Sequence, residues 1–585
     1  MTQAHHATSV CRITHLLGAM ALAMALTSCG DSDDPMATYT AQTLTWQACD
    51  AAVIDGMAPV LGMFGTQTDQ FGQRLRCATM RAPIDYAQPT RGELQVALMR
   101  VAVADSSQRQ GAILFNPGGP GGDGQVMAPV VAGLWGGADA ATTAGAMYRQ
   151  LARSYDMVGF SPRGTGSSTL LTCTSTESMK YTANETADRS SANIEAMLFN
   201  ARLIAQACTK NPLAPHINTD ATARDMDLMR HLLGEAKLNY YGISYGTWLG
   251  TWYATLFPER VGRMLLTGVV DQQQNLVESF LNQPMGFQRA LQQMIVPYAA
   301  RHADILSTDG SAANLGAIFG TLDVNVQVGV SALVTDSLGN ARNAARTVLA
   351  LVAGKKVNEL LQASDVAALI STGQTITAAN LVLQRINDST PLAASPVVNG
   401  TTYDLNQTAK ELAKQIADSY FNQINRVTGP VKLSGSEAVA YAITSNDYPM
   451  SLGVDGWIQT TNFNASKYPL AGGMFTAWPS LYWGAPSVSR PSLERATQAG
   501  DIVMLQTALD AQTPIEGTEK AFTALPNASL VLINGDYTHG PFVPYGQACV
   551  DEPIARYFLN GTKPPRRTEC TGNPLLWDQL QPGTP

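Results

Sequence analysis

The feature that most restricts the fold of this chain is a serine between two glycines, at the junction of two contrasting segments. The pentapeptide is Gly242-Ile-Ser-Tyr-Gly246. Residues 238–242 form a short strand-like run, and residues 247–254 have the pattern of a helix. A serine on so tight a turn has strained backbone angles, and small neighbours let other segments pass close to it. The sequence therefore predicts that Ser244 lies at the end of a strand, where the next helix N-terminus favours developing negative charge.

Short apolar runs bounded by glycine or proline recur on both sides of this serine. Residues 74–84 and 94–103 are separated by Pro-Thr-Arg-Gly, which predicts an antiparallel hairpin. Helical patterns separate several of the further strand-like runs, which are residues 112–116, 155–160, 238–242, 264–270, 501–506 and 529–533. This alternation predicts an α/β protein with a mostly parallel sheet covered by helices on both faces.

The alternation stops after residue 272 and resumes only near the C-terminus. We divide the chain into a core segment of residues 46–272, a mostly helical lid insertion of residues 273–460 and a second core segment of residues 461–585. The insertion is expected to lie over the functional site, because function concentrates on loops and additions. Two independent domains are the alternative, which is disfavoured because the last segment has too few strands to close a sheet alone.

The N-terminal residues indicate export. Arg12 precedes an apolar run of residues 16–26, which is too short to span a bilayer and is typical of a signal-peptide core. Leu26-Thr-Ser-Cys29 resembles the bacterial lipobox, in which the signal is cut before a cysteine that then carries a lipid. We predict a lipoprotein signal peptide of residues 1–28, a lipid on Cys29 and a polar tether of residues 29–45, which together anchor the protein in the bacterial cell envelope. The alternative is an ordinary signal peptide with Cys29 incidental.

The cysteine count supports the same compartment. Beyond Cys11 and Cys29, six cysteines remain, and an even number in an exported chain predicts disulfides. Their local clustering makes the simplest pairing Cys49 with Cys77, Cys173 with Cys208, and Cys549 with Cys570. Metal binding is the alternative, but there is no CxxC motif or histidine cluster to support it, and no cofactor is predicted. The formal net charge of −8 argues against a nucleic-acid partner, which requires a basic face.

A reactive serine needs a base, and the chain has seven histidines. Three of them lie in the predicted signal peptide, two precede the serine turn, one lies in the insertion and one follows a predicted strand near the C-terminus, in the order His5, His6, His15, His216, His231, His302 and His539. His539 lies on a glycine-flanked loop, Gly535-Asp-Tyr-Thr-His-Gly540, from which an imidazole can reach a serine. His539 is the predicted base.

The base in turn needs an acid to orient it. Asp510 ends a strand-like run and lies between the serine and the histidine, which is the order serine, acid, histidine found in α/β-hydrolases. Asp536 lies on the histidine's own loop, and Asp501 begins a strand, at the wrong edge of the sheet for catalysis. The predicted triad is therefore Ser244, Asp510 and His539.

Acyl transfer also needs hydrogen-bond donors for an oxyanion. The segment Asn116-Pro-Gly-Gly-Pro-Gly-Gly-Asp-Gly124 follows a predicted strand, and its glycines let backbone amides approach a ligand closely. We predict that the amides of Gly119 and Tyr245 form an oxyanion hole. A plain loop is one alternative. A phosphate-binding loop is another, disfavoured because no lysine follows it.

These segments resemble the tripeptidyl aminopeptidase and proline iminopeptidase group of α/β-hydrolases. Pro117-Gly-Gly-Pro-Gly121 resembles the oxyanion motif of the group, and residues 239–250 and 257–264 resemble its nucleophile region. Residues 510–570 resemble the C-terminal module typical of the tripeptidyl aminopeptidases. The insertion is not covered by the resemblance. The implied fold is the α/β-hydrolase fold with a helical lid.

The chain departs from this group at two places. Ser161 stands where the Asp-Pro-Arg-Gly segment of the group has its acid. Ser445 stands where members often have a cysteine, and a second cysteine, before the counterpart of Trp478, is also missing. This is consistent with the joint loss of one disulfide, which leaves the attachment of the lid open.

The resemblance implies an exported serine aminopeptidase that releases short peptides or residues from peptide N-termini through an acyl-enzyme. Asp447 is one candidate to bind the substrate ammonium, although a solvated surface acid is the simpler interpretation. A carboxylesterase with the same triad, acting on small esters, is a second hypothesis, because the same serine chemistry serves both. A non-catalytic lipid-anchored binding protein is a third.

Overall fold

A computed structural model describes residues 34–474 and 479–580. Nine strands form one sheet in the order β1-β2-β4-β3-β6-β7-β11-β12-β13, and the other four strands form two small sheets, β5 with β10 and β8 with β9. The strands are β1 (Leu75–Pro83), β2 (Glu93–Val101), β3 (Gly111–Asn116), β4 (Tyr155–Phe160), β5 (Thr172–Ser178), β6 (Leu238–Ile243), β7 (Val261–Thr267), β8 (Val397–Val398), β9 (Thr401–Thr402), β10 (Pro430–Ser434), β11 (Ile502–Thr507), β12 (Ala528–Asn534) and β13 (Arg567–Thr571).

The large sheet has an antiparallel edge and a parallel centre. β1 and β2 form the predicted hairpin, and β2 is antiparallel to β4. From β4 to β13 every neighbouring pair is parallel. Every residue of β3, β4 and β11 is buried. Central strands of this kind need helices on both faces, which explains why their sequences are continuously apolar.

Helices cover both faces of this sheet. Those of the two sheet-building segments are α1 (Ala37–Thr40), α2 (Ala51–Met63), α3 (Met127–Gly136), α4 (Thr143–Ser154), α5 (Ser191–Thr209), α6 (Thr219–Leu232), α7 (Tyr245–Leu256), α20 (Ile515–Ala524), α21 (Ala548–Asn560) and α22 (Leu576–Leu580). Strand residues alternate between the two faces: Leu114 packs in the core with α6, α7 and α20, and Ile113 and Phe115 pack in the core with α3, α4 and α21. The alternation follows the two-residue period of a strand.

Residues 276–467 contain further helices. They are α8 (Leu276–Phe280), α9 (Gln283–Ala290), α10 (Val296–Arg301), α11 (Ala303–Leu306), α12 (Leu315–Ile318), α13 (Val324–Ser337), α14 (Ala344–Gln362), α15 (Ser364–Ser371), α16 (Thr375–Asp388), α17 (Leu405–Ile424), α18 (Ser436–Asn446) and α19 (Gly453–Lys467). The buried apolar residues of 276–280 and 438–443 pack in the core with α6 and α7, whereas the helices of residues 283–424 share a core of their own. Ala511, Tyr537 and Trp577 of the C-terminal segment complete this core, so the insertion packs on the carboxyl edge of the sheet.

Three disulfides connect neighbouring parts of the chain. They join Cys49 to Cys77, Cys173 to Cys208, and Cys549 to Cys570. These are the pairs that local clustering predicts. The second disulfide joins β5 to α5, and β5 pairs with β10 of the insertion. The insertion is thereby attached to the first core segment by strand pairing.

Several boundaries differ from the predictions. Residues 34–45 are not a free tether: α1 packs on the core, where Tyr39 and Leu44 are buried and the Tyr39 hydroxyl donates to the Pro89 carbonyl at 3.0 Å. The two apolar side chains, interspersed among polar ones, account for this docking. The predicted boundary at residue 460 falls inside α19, because no glycine or proline interrupts the helix there. The predicted signal peptide and Cys29 lie outside the described residues.

Within residues 34–474 and 479–580, no helix has both the length and the apolar character needed to cross a membrane. The same residues contain no group of three histidine, cysteine, aspartate or glutamate side chains that could hold a metal ion.

Candidate active site

Ser244 lies in the turn between β6 and α7 with strained backbone angles, φ 57° and ψ −122°. Its amide donates to the Thr267 carbonyl at 2.9 Å, at the end of the neighbouring strand β7. A side chain at Gly242 would place a Cβ 2.4 Å from the Gly246 carbonyl, so the turn needs glycine at that position. The local sequence thus folds as the pentapeptide predicts, with Ser244 at the carboxyl edge of the sheet.

His539 and Asp510 are paired at the same edge. The His539 Nδ1 atom is 3.0 Å from both Asp510 carboxylate oxygens. Asp510 follows β11 and is fully buried, and His539 follows β12 with 12% of its side chain exposed. Such a carboxylate favours the tautomer with the proton on Nδ1 and leaves Nε2 as the acceptor.

Asp510 is held by donors from its own turn. The amides of Gln512 and Thr513 donate to Asp510 Oδ1 at 2.8 and 2.9 Å. The Thr513 hydroxyl donates to Asp510 Oδ2 at 2.9 Å and lies 3.4 Å from His539 Nδ1. These bonds satisfy a buried charge and fix the orientation of the carboxylate. Sequence analysis did not single out Thr513, although it lies three residues after the predicted acid.

The His539 ring and the Ser244 turn both lie at the end of β7. A Cβ placed on Gly268 would lie 3.1 Å from His539 Cε1, and Gly268 follows the residue that accepts the hydrogen bond from Ser244. Gly540 packs against Ile243, the residue before the serine. The tertiary structure therefore places Ser244, Asp510 and His539, which follow three different strands, at the same edge of the sheet.

The glycine loop after β3 lies directly against Ser244. A Cβ on Gly118 would be 2.9 Å from Ser244 Cβ and 3.0 Å from the Tyr245 nitrogen. The Gly118 amide already donates to Asn116 Oδ1 at 3.0 Å. In the described part of the chain the amides of Gly119 and Tyr245 have no acceptor. Tyr245 directly follows the serine and Gly119 directly follows the glycine packed against it, so these two amides are available as donors for an oxyanion.

Ser161, which stands where the group has an acid, contacts an acid of the glycine loop. The Ser161 hydroxyl donates to Asp123 Oδ1 at 2.8 Å, so Asp123 carries the carboxylate of this contact. The Gln125 amide also donates to Asp123 Oδ1, at 3.0 Å.

Asp447 is not a solvated surface acid, because 1% of it is exposed. It accepts hydrogen bonds from the Thr219 amide, the Thr219 hydroxyl and the Trp248 indole nitrogen at 2.8, 2.5 and 3.2 Å. Burial raises the pKa of Asp447 to about 6, and these hydrogen bonds and Arg490 partly oppose that rise. With its oxygens engaged by protein donors, Asp447 is a poor candidate for a substrate ammonium.

The competing acids and histidines lie elsewhere. Asp536 accepts hydrogen bonds from the Thr538 amide at 2.6 Å and the Tyr545 hydroxyl at 2.5 Å. His302, a residue of the insertion, pairs with Asp578 of α22 at 2.7 Å. The His231 ring contacts the Thr40 carbonyl at 3.2 Å. Neither ring is placed at Ser244.

The Ser445 position shows how the lid is attached without the absent cysteines. The Ser445 hydroxyl lies 3.0 Å from the Ser480 hydroxyl, and both side chains are buried. A hydrogen bond therefore connects α18 to the segment after it. Trp478 lies outside the described residues.

Comparisons with known proteins agree with this architecture. The family model of the alpha/beta hydrolase fold matches residues 111–304, and the model of the TAP-like protein family matches residues 470–570. A solved proline iminopeptidase from Mycobacterium smegmatis aligns with 83% of this chain and 98% of its own, at 11% identity and a TM-score of 0.30, which is too distant to bear on function.

Three curated relatives cover different shares of the chain. A tripeptidyl aminopeptidase of Streptomyces lividans is 37% identical over 220 residues, 37% of this chain and 39% of the relative. This match thus spans about two fifths of the relative's length. Serine protease Hip1 of Mycobacterium tuberculosis is 28% identical over 505 residues, 84% of this chain and 87% of the relative. Carboxylesterase B of the same organism is 29% identical over 568 residues, 95% of both chains.

The sheet order, the serine turn and the first family model define the chain as an α/β-hydrolase. Within that class, residues 470–570 match the TAP-like family, and the chain is similar to proteins named tripeptidyl aminopeptidase and serine protease.

Proposed function

We propose that this protein hydrolyses acyl compounds through a covalent intermediate on Ser244. The observation that carries the proposal is the His539–Asp510 pair, whose Nδ1 and Oδ1 atoms are 3.0 Å apart. The His539 ring lies at the end of β7, where the Ser244 amide is hydrogen-bonded to the Thr267 carbonyl. A strained serine beside an oriented imidazole is the arrangement that activates a hydroxyl as a nucleophile.

The proposed reaction has two halves. His539 Nε2 takes the Ser244 proton while the hydroxyl oxygen attacks the substrate carbonyl, and the amides of Gly119 and Tyr245 stabilise the oxyanion. His539 then gives the proton to the leaving group, and the acyl group stays on Ser244. In the second half His539 removes a proton from water, and the resulting hydroxide attacks the acyl carbonyl. His539 then returns the proton to the Ser244 oxygen as its bond to the acyl carbon breaks and the acid leaves. Asp510 holds the imidazole ring and stabilises its cation throughout.

For the substrate we propose a peptide with a free N-terminus. The support is the TAP-like C-terminal segment and the similarity to proteins named tripeptidyl aminopeptidase and serine protease. A carboxylic ester is the second candidate, because the relative with 95% coverage is named a carboxylesterase. Both substrates pass through the same acyl-enzyme, so the triad does not choose between them.

The test compares short peptidyl anilides with free and blocked N-termini against short acyl esters, on the wild type and Ser244→Ala. We expect turnover of the free-N-terminal anilides, lowered at least about 10⁴-fold by Ser244→Ala. Turnover of esters alone would refute the aminopeptidase assignment. The enzyme assignment would be refuted if the wild type turned over no substrate and a fluorophosphonate did not label Ser244. That outcome would favour a binding protein.

We propose that the protein acts outside the cytoplasm and is held there by a lipid on Cys29. Three disulfides suit an oxidising compartment, and the lipobox-like residues suit lipid attachment. Metabolic labelling with a fatty acid analogue tests the anchor: the wild type should carry label and remain in the membrane fraction, and Cys29→Ala should lose both. Equal labelling of the two would refute it.

A further inference from the structure

Helix α18 lies in the insertion, yet its N-terminal end contacts the glycine loop and its C-terminal end is linked through Thr219 to Tyr245. Its first residue is Ser436, which follows β10 through Gly435, and its C-cap is Asp447. β10 is paired with β5 of the core, which fixes where the helix begins. A helix of 11 residues thus spans from the glycine loop to the base of α7.

The N-terminal end of α18 holds the glycine loop. The Ser436 hydroxyl donates to the Gly121 carbonyl at 2.7 Å, and the Thr165 hydroxyl donates to the same carbonyl at 3.1 Å. Gly121 also packs so closely on the Ser436 backbone that a Cβ there would lie 2.5 Å from the Ser436 carbonyl. The Gly121 peptide group is therefore fixed in orientation and position by the helix.

This restraint reaches the donor amide through a closed turn. The Gly122 amide donates to the Gly118 carbonyl at 3.0 Å, and the Gly118 amide donates to Asn116. Gly119 lies inside that turn, two residues from Gly121. Four glycines in seven residues give the loop little rigidity of its own, because glycine allows the widest range of backbone angles. External contacts must therefore set the direction of the Gly119 amide.

The C-terminal end of α18 holds the other donor. Asp447 accepts from the Thr219 hydroxyl at 2.5 Å, and that hydroxyl lies 2.7 Å from the Tyr245 hydroxyl. Because Thr219 gives its proton to the carboxylate, Tyr245 donates to Thr219. Asp447 also accepts from Trp248, one turn further along α7. The side chain of Tyr245, whose amide is the second donor, is thereby anchored to the same helix.

We infer that α18 is a brace that sets the distance and angle between the Gly119 and Tyr245 amides, with Ser436 and Asp447 as positioning residues. The inference rests on the proposed acyl transfer. An oxyanion hole stabilises charge only when its donors are correctly placed, and a displacement of about 1 Å can cost about 100-fold in rate. The lid insertion would then contribute directly to transition-state stabilisation, in addition to covering the site.

The first test removes one contact at each end. Ser436→Ala loses the bond to Gly121, and Thr219→Val loses the link between Asp447 and Tyr245. Ser434→Ala is the matched control, since Ser434 is an exposed serine two residues from Ser436. With a small activated ester we expect each site variant to lower kcat about 10-fold with KM within about twofold, because only the transition state carries the oxyanion. Ser434→Ala should match the wild type, and Ser436→Thr should recover most of the loss.

The double variant tests whether the two ends act on one hole. If α18 sets a single distance, Ser436→Ala/Thr219→Val should lose less in kcat than the product of the single losses. Strictly multiplicative losses, or losses that appear in KM alone, would overturn the brace. Thermal unfolding of every variant identifies a substitution that merely destabilises the fold. The values of kcat are compared at a temperature well below the lowest unfolding midpoint.

A second measurement does not depend on activity. Backbone amide hydrogen exchange of residues 117–122 should be faster in Ser436→Ala than in Ser434→Ala and the wild type, because the loop loses its external restraint. Equal exchange in all three would overturn the brace even if the wild type were active. If the wild type turned over no substrate, the proposed function would fail, and faster exchange would still support the restraint of the loop by α18.

Discussion

At the scale of single residues, Ser244 bears a conformational cost. Among the described residues, Ser244 and Asn399 are the two non-glycine residues with positive φ. Asparagine tolerates that region, whereas a serine with ψ −122° does not, and such angles cost about 1–3 kcal/mol. The bond from Ser244 to the Thr267 carbonyl and the Thr247 hydroxyl bond to the Ser244 carbonyl hold the turn. Hydrogen bonds from the end of β7 and the first turn of α7 thus hold Ser244 in its strained backbone conformation.

Thr513→Val removes a hydroxyl that donates to Asp510. The buried carboxylate then loses one hydrogen-bond donor, and the His539 ring loses part of its orientation. We therefore expect kcat to fall about 10-fold, an effect within the range of about 1–3 kcal/mol that an unsatisfied buried group costs. Steady-state kinetics measure the change. Thr523→Val, on an exposed part of α20, is the control, and an equal effect of both variants would contradict the role of Thr513.

The ionisation of Asp447 links stability to pH. Because its folded pKa of about 6 lies above the unfolded value of 3.8, the group contributes stability that is complete below about pH 4 and is lost as the pH rises through about 6. The full difference is about 3 kcal/mol. The groups facing the carboxylate are Thr219, Trp248, Tyr245 and Arg490.

Urea unfolding of the wild type and Asp447→Asn at several pH values measures this contribution. The unfolding free energy of the wild type should decrease relative to that of the variant between about pH 4 and about pH 7, since only the wild type carries the titrating group. A difference between the two proteins that does not vary with pH would show that Asp447 titrates at its ordinary value.

At the scale of secondary structure elements, Arg163 connects the hairpin to α6. Its guanidinium donates to both Asp225 oxygens at 2.7 Å, and to the carbonyls of Pro83, Ile84 and His216 at 3.0–3.2 Å. Arg163 is fully buried, so its five hydrogen bonds replace the water that it loses. One side chain thereby fixes the end of β1, the start of α6 and the loop after β4 relative to each other.

Asp225→Asn should therefore destabilise the protein strongly. It leaves a buried guanidinium without its counter-ion, which costs about 3–5 kcal/mol. Asp365→Asn, which breaks the exposed pair with Arg385, should cost less than about 1 kcal/mol. Denaturant unfolding of both variants checks the contrast. Similar losses would mean that the Arg163–Asp225 pair is not the stabilising contact we describe.

Elements differed in how well the sequence predicted them. β3, β4, β6, β7, β11 and β12 were predicted within a few residues, because buried central strands are continuous apolar runs. β5 and β10 were not predicted. β5 reads Thr-Cys-Thr-Ser-Thr-Glu-Ser and is mostly exposed, and its partner lies more than 250 residues later. Pairing at that distance leaves no local pattern.

At the scale of the whole molecule, the Cys173–Cys208 disulfide secures the strand pair from which α18 starts. It closes a segment of 35 residues, so its removal in Cys173→Ser/Cys208→Ser should lower the unfolding free energy by about 3–4 kcal/mol. The disulfide secures β5, β5 pairs with β10, and β10 is followed by Ser436 at the start of α18. We therefore also expect kcat to fall.

The Cys549–Cys570 disulfide is the matched control. It closes 21 residues between α21 and β13, away from α18, and its loss should cost about as much stability while leaving kcat at 25 °C near the wild-type value. Denaturant unfolding and ester kinetics on both double variants decide the point. A fall in kcat for the control alone would contradict the link between β5 and the site.

The sequence by itself determined the fold class, the turn that carries Ser244, and the choice of Asp510 and His539, because these depend on local patterns and on chain order. Only the tertiary structure decided how Asp510 is held, that Ser161 donates to Asp123 of the glycine loop, and that Asp447 is buried. It also linked the two ends of α18 to the glycine loop and, through Thr219, to Tyr245. These contacts join residues far apart in the chain, and their energies depend on burial and direction, which no local pattern records.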